Sequence, residues 1–104
     1  MAFQAFRMKL KPGMQARYEA EHDAIWPELA ALLRGAGISD YSIFLDPDSL
    51  DLFAVFRLAE GKGLDDLSDH PVMRRWWDHM APLMEVKPGN RPKEQPLRRV
   101  FYLS

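Results

Sequence analysis

The sequence predicts an α+β fold in which one antiparallel sheet is covered on one face by helices. Two observations carry that prediction. Short segments at the start, middle and end of the chain alternate with period two, whereas two longer segments between them repeat apolar residues at helical spacing. Their order is strand, helix, strand, strand, helix, strand. At 104 residues, 47% of them apolar and 28% charged, the chain has ordinary globular composition and the length of a single domain, taken as 1–104.

Each element has its own signals. Phe6, Met8 and Leu10 alternate with Ala5, Arg7 and Lys9, so residues 5–10 read as a strand. Lys11-Pro12-Gly13 ends it. A helical pattern of Met14, Tyr18, Ile25, Leu29, Leu32 and Leu33 then runs to Arg34, where Gly35 and Gly37 stop it. Within that helix Pro27 has no amide hydrogen to bond the carbonyl of Asp23, and its ring crowds that carbonyl. The helix is therefore expected to bend or restart there. A second strand covers 40–46, with Tyr41, Ile43 and Leu45 on one face and Ser42 and Phe44 on the other. Asp46-Pro47-Asp48-Ser49 is turn chemistry, joining it in a hairpin to a third strand at 50–58. A second helix is predicted over 63–84, carrying Leu64, Leu67, Met73, Trp76, Trp77, Met80 and Leu83, with Pro71 dividing it and starting its second part. Residues 85–97, with Pro88, Gly89, Pro92 and Pro96, read as a long irregular loop, and residues 98–103 as a final short strand.

With right-handed crossovers, this order produces a ferredoxin-like βαββαβ sheet of four antiparallel strands, both helices on one face. The third strand has Leu52, Ala54 and Phe56 on one side but Phe53 and Val55 on the other. The last strand likewise sets Val100 and Tyr102 against Phe101 and Leu103. An apolar second face needs a covering layer, and a second copy of the chain supplies it, sheet against sheet. The expectation is a homodimer, a dimeric α/β barrel.

Composition excludes several classes. Fourteen basic and fifteen acidic residues leave a net charge of −1, with no electrostatic footprint for nucleic acid or an acidic membrane surface. Absence of cysteine removes disulfides, thiolate nucleophiles and cysteine metal sites. There is no run of apolar residues long enough to span a bilayer and no signal-peptide core at the N-terminus, so a cytoplasmic protein is expected. Gly61-Lys62-Gly63 lacks the spacing of a phosphate-binding loop. His22, His70 and His79 have no spacing that encloses a metal, so no metal is expected.

What remains is one imidazole among aromatic rings. Tyr18 and His22 stand one turn apart on the same helix face, just before the distortion at Pro27. A titratable imidazole beside a phenol suits proton transfer, and it equally suits a packed, hydrogen-bonded residue. The adjacent indoles Trp76 and Trp77 point about 100° apart on a helix. Either one is core and the other covers an edge, or together they wall a pocket. Such a wall would suit a sugar ring, which pairs an apolar C–H patch with hydroxyls that need hydrogen bonds. Tyr41 is inward on its strand, as a core residue or as a hydrogen-bond donor to such a ligand.

At these residues the chain resembles the L-rhamnose mutarotases over nearly its whole length. The landmarks are Tyr18, His22 and Ile25-Trp26-Pro27-Glu28-Leu29, then Tyr41-Ser42-Ile43-Phe44-Leu45-Asp46, Leu52-Phe53-Ala54-Val55, Trp76-Trp77 with Met80, and Val100-Phe101-Tyr102-Leu103. The resemblance implies a homodimeric ferredoxin-like protein that interconverts the α and β anomers of L-rhamnose without metal or organic cofactor. It further implies His22 as the proton-donating residue, with Tyr18, Tyr41, Trp76 and Trp77 contacting the sugar. Two segments depart from the family pattern. Glu21 stands where a basic residue is usual, and Glu85 to Pro92 replaces a more Asn/Asp-rich stretch. Small dimeric proteins of this fold also include cofactor-free or haem-linked monooxygenases for flat aromatic substrates, and a non-catalytic small-ligand binder would use the same sheet. The Ile-Trp-Pro-Glu-Leu and Trp-Trp motifs favour the mutarotase.

Overall fold

The computed structural model describes residues 2–64 and 66–104. Its elements in chain order are β1 (Ala2–Lys9), α1 (Gln15–Asp23), α2 (Pro27–Gly35), β2 (Ile38–Leu45), β3 (Asp51–Leu58), α3 (Pro71–Met80) and β4 (Gln95–Pro96). The strands form one antiparallel sheet in the order β2-β3-β1-β4. The fold is thus α+β with a four-stranded antiparallel sheet and three α-helices.

Period-two patterning decides the faces of this sheet. Leu52, Ala54, Phe56 and Leu58 of β3 are buried, while Phe53, Val55 and Arg57 between them are only half-buried. Register carries the alternation across the ladder, since Phe6 pairs with Ala54 and Met8 with Leu52. Tyr18 from α1, Leu29 from α2 and Val72, Trp76 and Met80 from α3 close over these residues. Phe3 and Phe44 lie on the opposite face, 43% and 60% exposed.

The expected helix over 14–34 is two helices. Ala24 still bonds the carbonyl of Ala20, at 3.2 Å, but Pro27 begins α2 as its first residue, and the Trp26 carbonyl receives the amides of Leu29 and Ala30 at 3.0 Å each. The missing Pro27 donor accounts for the restart. A tight turn follows α2, where Gly37 has φ +93 and a Cβ would lie 2.7 Å from Lys62 Cγ. Only glycine fits that turn without strain or movement of the lysine.

The second predicted helix is shorter than 63–84. Its position Asp65 lies outside the described residues. Leu67–Asp69 is a single 3-10 turn, and α3 begins at Pro71 as the sequence suggests. The ring of Pro71 disfavours helical conformation in the residue before it. His70 is accordingly extended (ψ 132), and its Nδ1 accepts the Val72 amide at 3.2 Å as the helix cap.

Strand β2 contains an irregularity that the sequence conceals. Ser39 pairs with Arg57 and Ser42 with Val55, so Asp40 and Tyr41 both stand opposite Phe56. The extra residue switches the inward parity from Ile38 before the bulge to Ile43 after it. Asp40 absorbs the turn with φ 49.

Two expectations near the C-terminus are corrected. Residues 85–97 are irregular only in part: Lys87 bonds Arg91 at 2.7 Å, Asn90 bonds Lys87 at 2.9 Å, and an isolated bridge from Val86 to Pro92 closes a tight hairpin. The fourth strand is Gln95–Pro96, paired with Arg7 and Phe6, rather than 98–103. Alternation marks residues able to join a sheet without ensuring that they do: the chain follows the β1 edge at Gln95 and Pro96, both exposed, where the Leu97 amide donates to the Ala5 carbonyl at 2.9 Å. Val100, Phe101, Tyr102 and Leu103 are left 59–84% exposed.

Candidate active site

Between the sheet and the helices lies a cleft of about 1310 Å³. Tyr18 and His22 reach it from α1, Tyr41 from the β2 bulge, and Trp76 and Trp77 from α3. All five residues singled out in the sequence therefore converge, although they belong to three separate elements. A shallower depression of about 540 Å³, lined by Trp26, Pro27, Glu28 and Arg75, contains none of them.

His22 occupies the last turn of α1, and its Nδ1 lies 3.0 Å from the carbonyl of Tyr18. A carbonyl only accepts, so this bond requires the proton on Nδ1 and leaves the lone pair on Nε2. Rings fix the imidazole on two sides. The Tyr18 ring is 4.3 Å away and tilted by 34°, and Trp76 meets it edge-on at 5.4 Å. Burial lowers the His22 pKa below its ordinary value of 6.5, only partly countered by the Tyr18 carbonyl and the Asp23 and Glu21 carboxylates. The neutral imidazole is thus the resting form at neutral pH, with an accepting nitrogen.

Both phenols are held in their protonated form. Burial raises the pKa of Tyr18, and the nearby Tyr41 raises it further. Burial likewise raises that of Tyr41, with the Glu94 carboxylate adding to it. The two hydroxyls are therefore available as donors throughout the physiological range. The Tyr41 ring stacks on Phe56 at 5.4 Å and 11°, which places part of that side chain in contact with the core while its outer edge remains accessible.

The adjacent indoles divide their roles as the 100° offset requires. Trp76 is buried and stands at the centre of the aromatic cluster, while Trp77 is half-buried and also reaches the cleft. Trp26 packs edge-on against Trp76 at 5.1 Å.

Sequence reasoning missed four further residues. His79 Nε2 lies 2.5 Å from Glu21 Oε2, tying α3 to α1 behind the imidazole. That pair is 58 residues apart in sequence, so only the departure at Glu21 hinted at it. Arg91 and Glu94 line the cleft from the hairpin after α3, in the segment read as irregular. Among the described residues no group of three His, Cys, Asp or Glu side chains could hold a metal ion.

An imidazole with an accepting nitrogen and two protonated phenols in an aromatic-walled cleft, on a helix-covered antiparallel sheet, form an arrangement suited to acid–base chemistry on a compact polar ligand. Comparison with known proteins makes this specific. The L-rhamnose mutarotase family matches residues 4–103. The chain is 54% identical over 99 residues to the L-rhamnose mutarotase of Rhizobium meliloti (strain 1021), and 56% identical over 99 residues to that of Acidiphilium cryptum (strain JF-5), with 95% of each chain covered in both cases. The crystal structure of L-rhamnose mutarotase from Formosa agariphila superposes with a TM-score of 0.94 at 40% identity, all of both chains being covered. This chain belongs to the L-rhamnose mutarotase family, isomerases of sugar anomers. Membership sets aside the monooxygenase and binding-protein readings. No helix among the described residues is long and apolar enough to cross a membrane.

Proposed function

We propose that this protein, a single domain over residues 1–104, interconverts the α and β anomers of L-rhamnose with His22 as its acid–base group. The observation that carries the reading is the convergence of His22, Tyr18, Tyr41, Trp76 and Trp77 on one cleft in a chain of this family.

Mutarotation needs no redox change and no covalent intermediate. Neutral His22 takes the proton of the anomeric hydroxyl at Nε2 while solvent water gives the ring oxygen a proton that it takes back on reclosure, and the C1–O5 bond breaks to leave an aldehyde. Rotation about C1–C2 presents the other carbonyl face. On reclosure the imidazolium returns its proton to the new anomeric oxygen, so the same residue serves as donor in the closing half. The Nδ1 bond to the Tyr18 carbonyl holds the ring in the tautomer this requires. Trp76 and Trp77 offer apolar surface to the sugar's C–H face and its methyl group, and the hydroxyls of Tyr18 and Tyr41 donate to sugar oxygens.

The working assembly in this reading is a cytoplasmic, ferredoxin-like homodimer of the α/β-barrel type, requiring no metal or cofactor. Exposed Phe3 and Phe44 on the outer sheet face, together with the apolar tail from Val100 to Leu103, support a second copy as the covering layer.

Saturation-transfer proton NMR on equilibrated L-rhamnose tests the chemistry. Irradiating one anomeric signal should diminish the other only with protein present, and His22→Asn should lower the enzyme-dependent rate by roughly 10²–10⁴-fold with the fold intact. Full exchange by the variant would remove His22 from the mechanism.

A further inference from the structure

The hairpin after α3 brings a carboxylate into the cleft that the mechanism above does not use. Glu94 lines the cleft alongside Tyr41 and Trp77 and is half-buried. Two contacts pin the hairpin to α3: Asn90 Nδ2 donates to Asp78 Oδ1 at 3.0 Å, and the Arg91 guanidinium lies 5.5 Å from the centre of the Trp77 ring. The bridge from Val86 to Pro92 and the bond from the Lys93 amide to the Glu85 carbonyl, 3.1 Å, then set the direction in which residue 94 leaves the turn.

A surface ion pair would be the ordinary fate of such a residue, and its geometry here argues otherwise. Arg91 Nε comes only to 4.0 Å from Glu94 Oε1, beyond hydrogen-bond length. The carboxylate is thus oriented by the guanidinium without having its lone pairs taken. Burial raises its pKa, opposed by Arg91 and Lys87, the behaviour of an acid facing a poorly solvated space rather than bulk water. The other carboxylates that line the cleft, Glu19, Asp23 and Asp40, are exposed, whereas Glu94 is half-buried. A sugar carries several hydroxyl hydrogens that need acceptors.

Resting on the mutarotase reading, we propose that Glu94 is a further sugar-binding group, its carboxylate accepting hydrogen bonds from hydroxyls on the ring away from the anomeric centre. Adjacent hydroxyls match the two oxygens of a carboxylate, so this residue selects among 6-deoxy sugars by the configuration of those carbons. Arg91 acts as a positioning residue, stacked on the indole that meets the sugar's apolar side and aiming the carboxylate at its polar side.

Steady-state exchange rates with L-rhamnose and its 2-deoxy, 3-deoxy and 4-deoxy analogues, for wild type and Glu94→Gln, test the assignment. The variant should raise KM for L-rhamnose about tenfold or more, the loss of a charge-assisted hydrogen bond, with kcat changed less than threefold. Two of the deoxy analogues should show a smaller difference between wild type and variant than L-rhamnose does, because one of the two hydroxyls that Glu94 serves is already gone. Arg91→Met should show a smaller rise in KM on the same analogue pattern. Unchanged KM, or an equal defect on all four sugars, would overturn the proposal, since a merely structural role lowers activity without regard to one hydroxyl. Wild-type protein inert toward L-rhamnose would instead remove the mutarotase reading, and this inference with it.

Discussion

The two faces of the sheet are built from the same strands and nearly the same residue types, yet they do different work. On the inner face, Leu52 and Ala54 are 1% and 0% exposed, and three helices close over them. On the outer face, Phe53 and Phe44 pair across strands with no layer above, and Phe44 remains 60% exposed. Four of the polar groups with perturbed ionisation, Tyr18, His22, Tyr41 and Glu94, border the inner cleft. The contrast shows that apolar patterning marks a surface to be covered without saying by what. Chemistry arises where the cover stands off far enough to leave a cleft.

Matched substitutions on the two faces would break or sharpen this comparison. Phe56→Ala removes a fully buried ring that also supports Tyr41, and should cost about 3–5 kcal/mol of folding stability. A lowered denaturant midpoint at constant m-value would show it, and a loss under 1 kcal/mol would mean that the inner face is less close-packed than described. On the outer face, Phe44→Glu should leave each chain folded but shift the sedimentation mass from dimer toward monomer, since a charge is buried unpaired if two sheets meet. An unchanged dimer would place the interface elsewhere, whereas a monomeric wild type would remove the dimer altogether.

Acid should act on the inner face first. Burial favours the neutral form of His22, so folding stability from this group is complete above its unfolded pKa and falls as pH drops through 6.5. Because the base must be neutral to accept a proton, the acid limb of kcat/KM should have its midpoint below 6.5. A midpoint above that value would contradict an imidazole desolvated in the free protein. The smallest effect concerns Glu21, whose carboxyl is held below its ordinary range chiefly by the hydrogen bond to His79. Its contribution is present at neutral pH and is lost as pH falls through the lowered value. Glu21→Gln should therefore lessen the acid sensitivity of thermal unfolding slightly, with kcat little changed. A large fall in kcat would show that the link between α1 and α3 orients His22.

Much of this was legible along the chain because the signals are local. Alternation in β1 and β3 follows from the pleat, and the restart at Pro27 and the start of α3 at Pro71 follow from a missing amide and a fixed φ. The bulge at Asp40 and Tyr41 was not legible, since one extra residue in a strand leaves no compositional mark. Nor was the order in 85–94, where Gly and Pro read as irregularity although backbone pairing closes a hairpin. Residues 98–103 misled in the opposite sense, having strand composition but forming no strand among the described residues.

For the site, the sequence by itself determined the one-turn spacing of Tyr18 and His22 and the offset of Trp76 from Trp77, since helix geometry is set by sequence separation. Tertiary structure alone decided that these side chains meet Tyr41 in one cleft, that His79 finds Glu21, and that Glu94 lines the same cleft. Those meetings depend on how elements distant in sequence pack. Desolvation, which decides the ionisation of His22 and of the phenols, exists only once packing has excluded water.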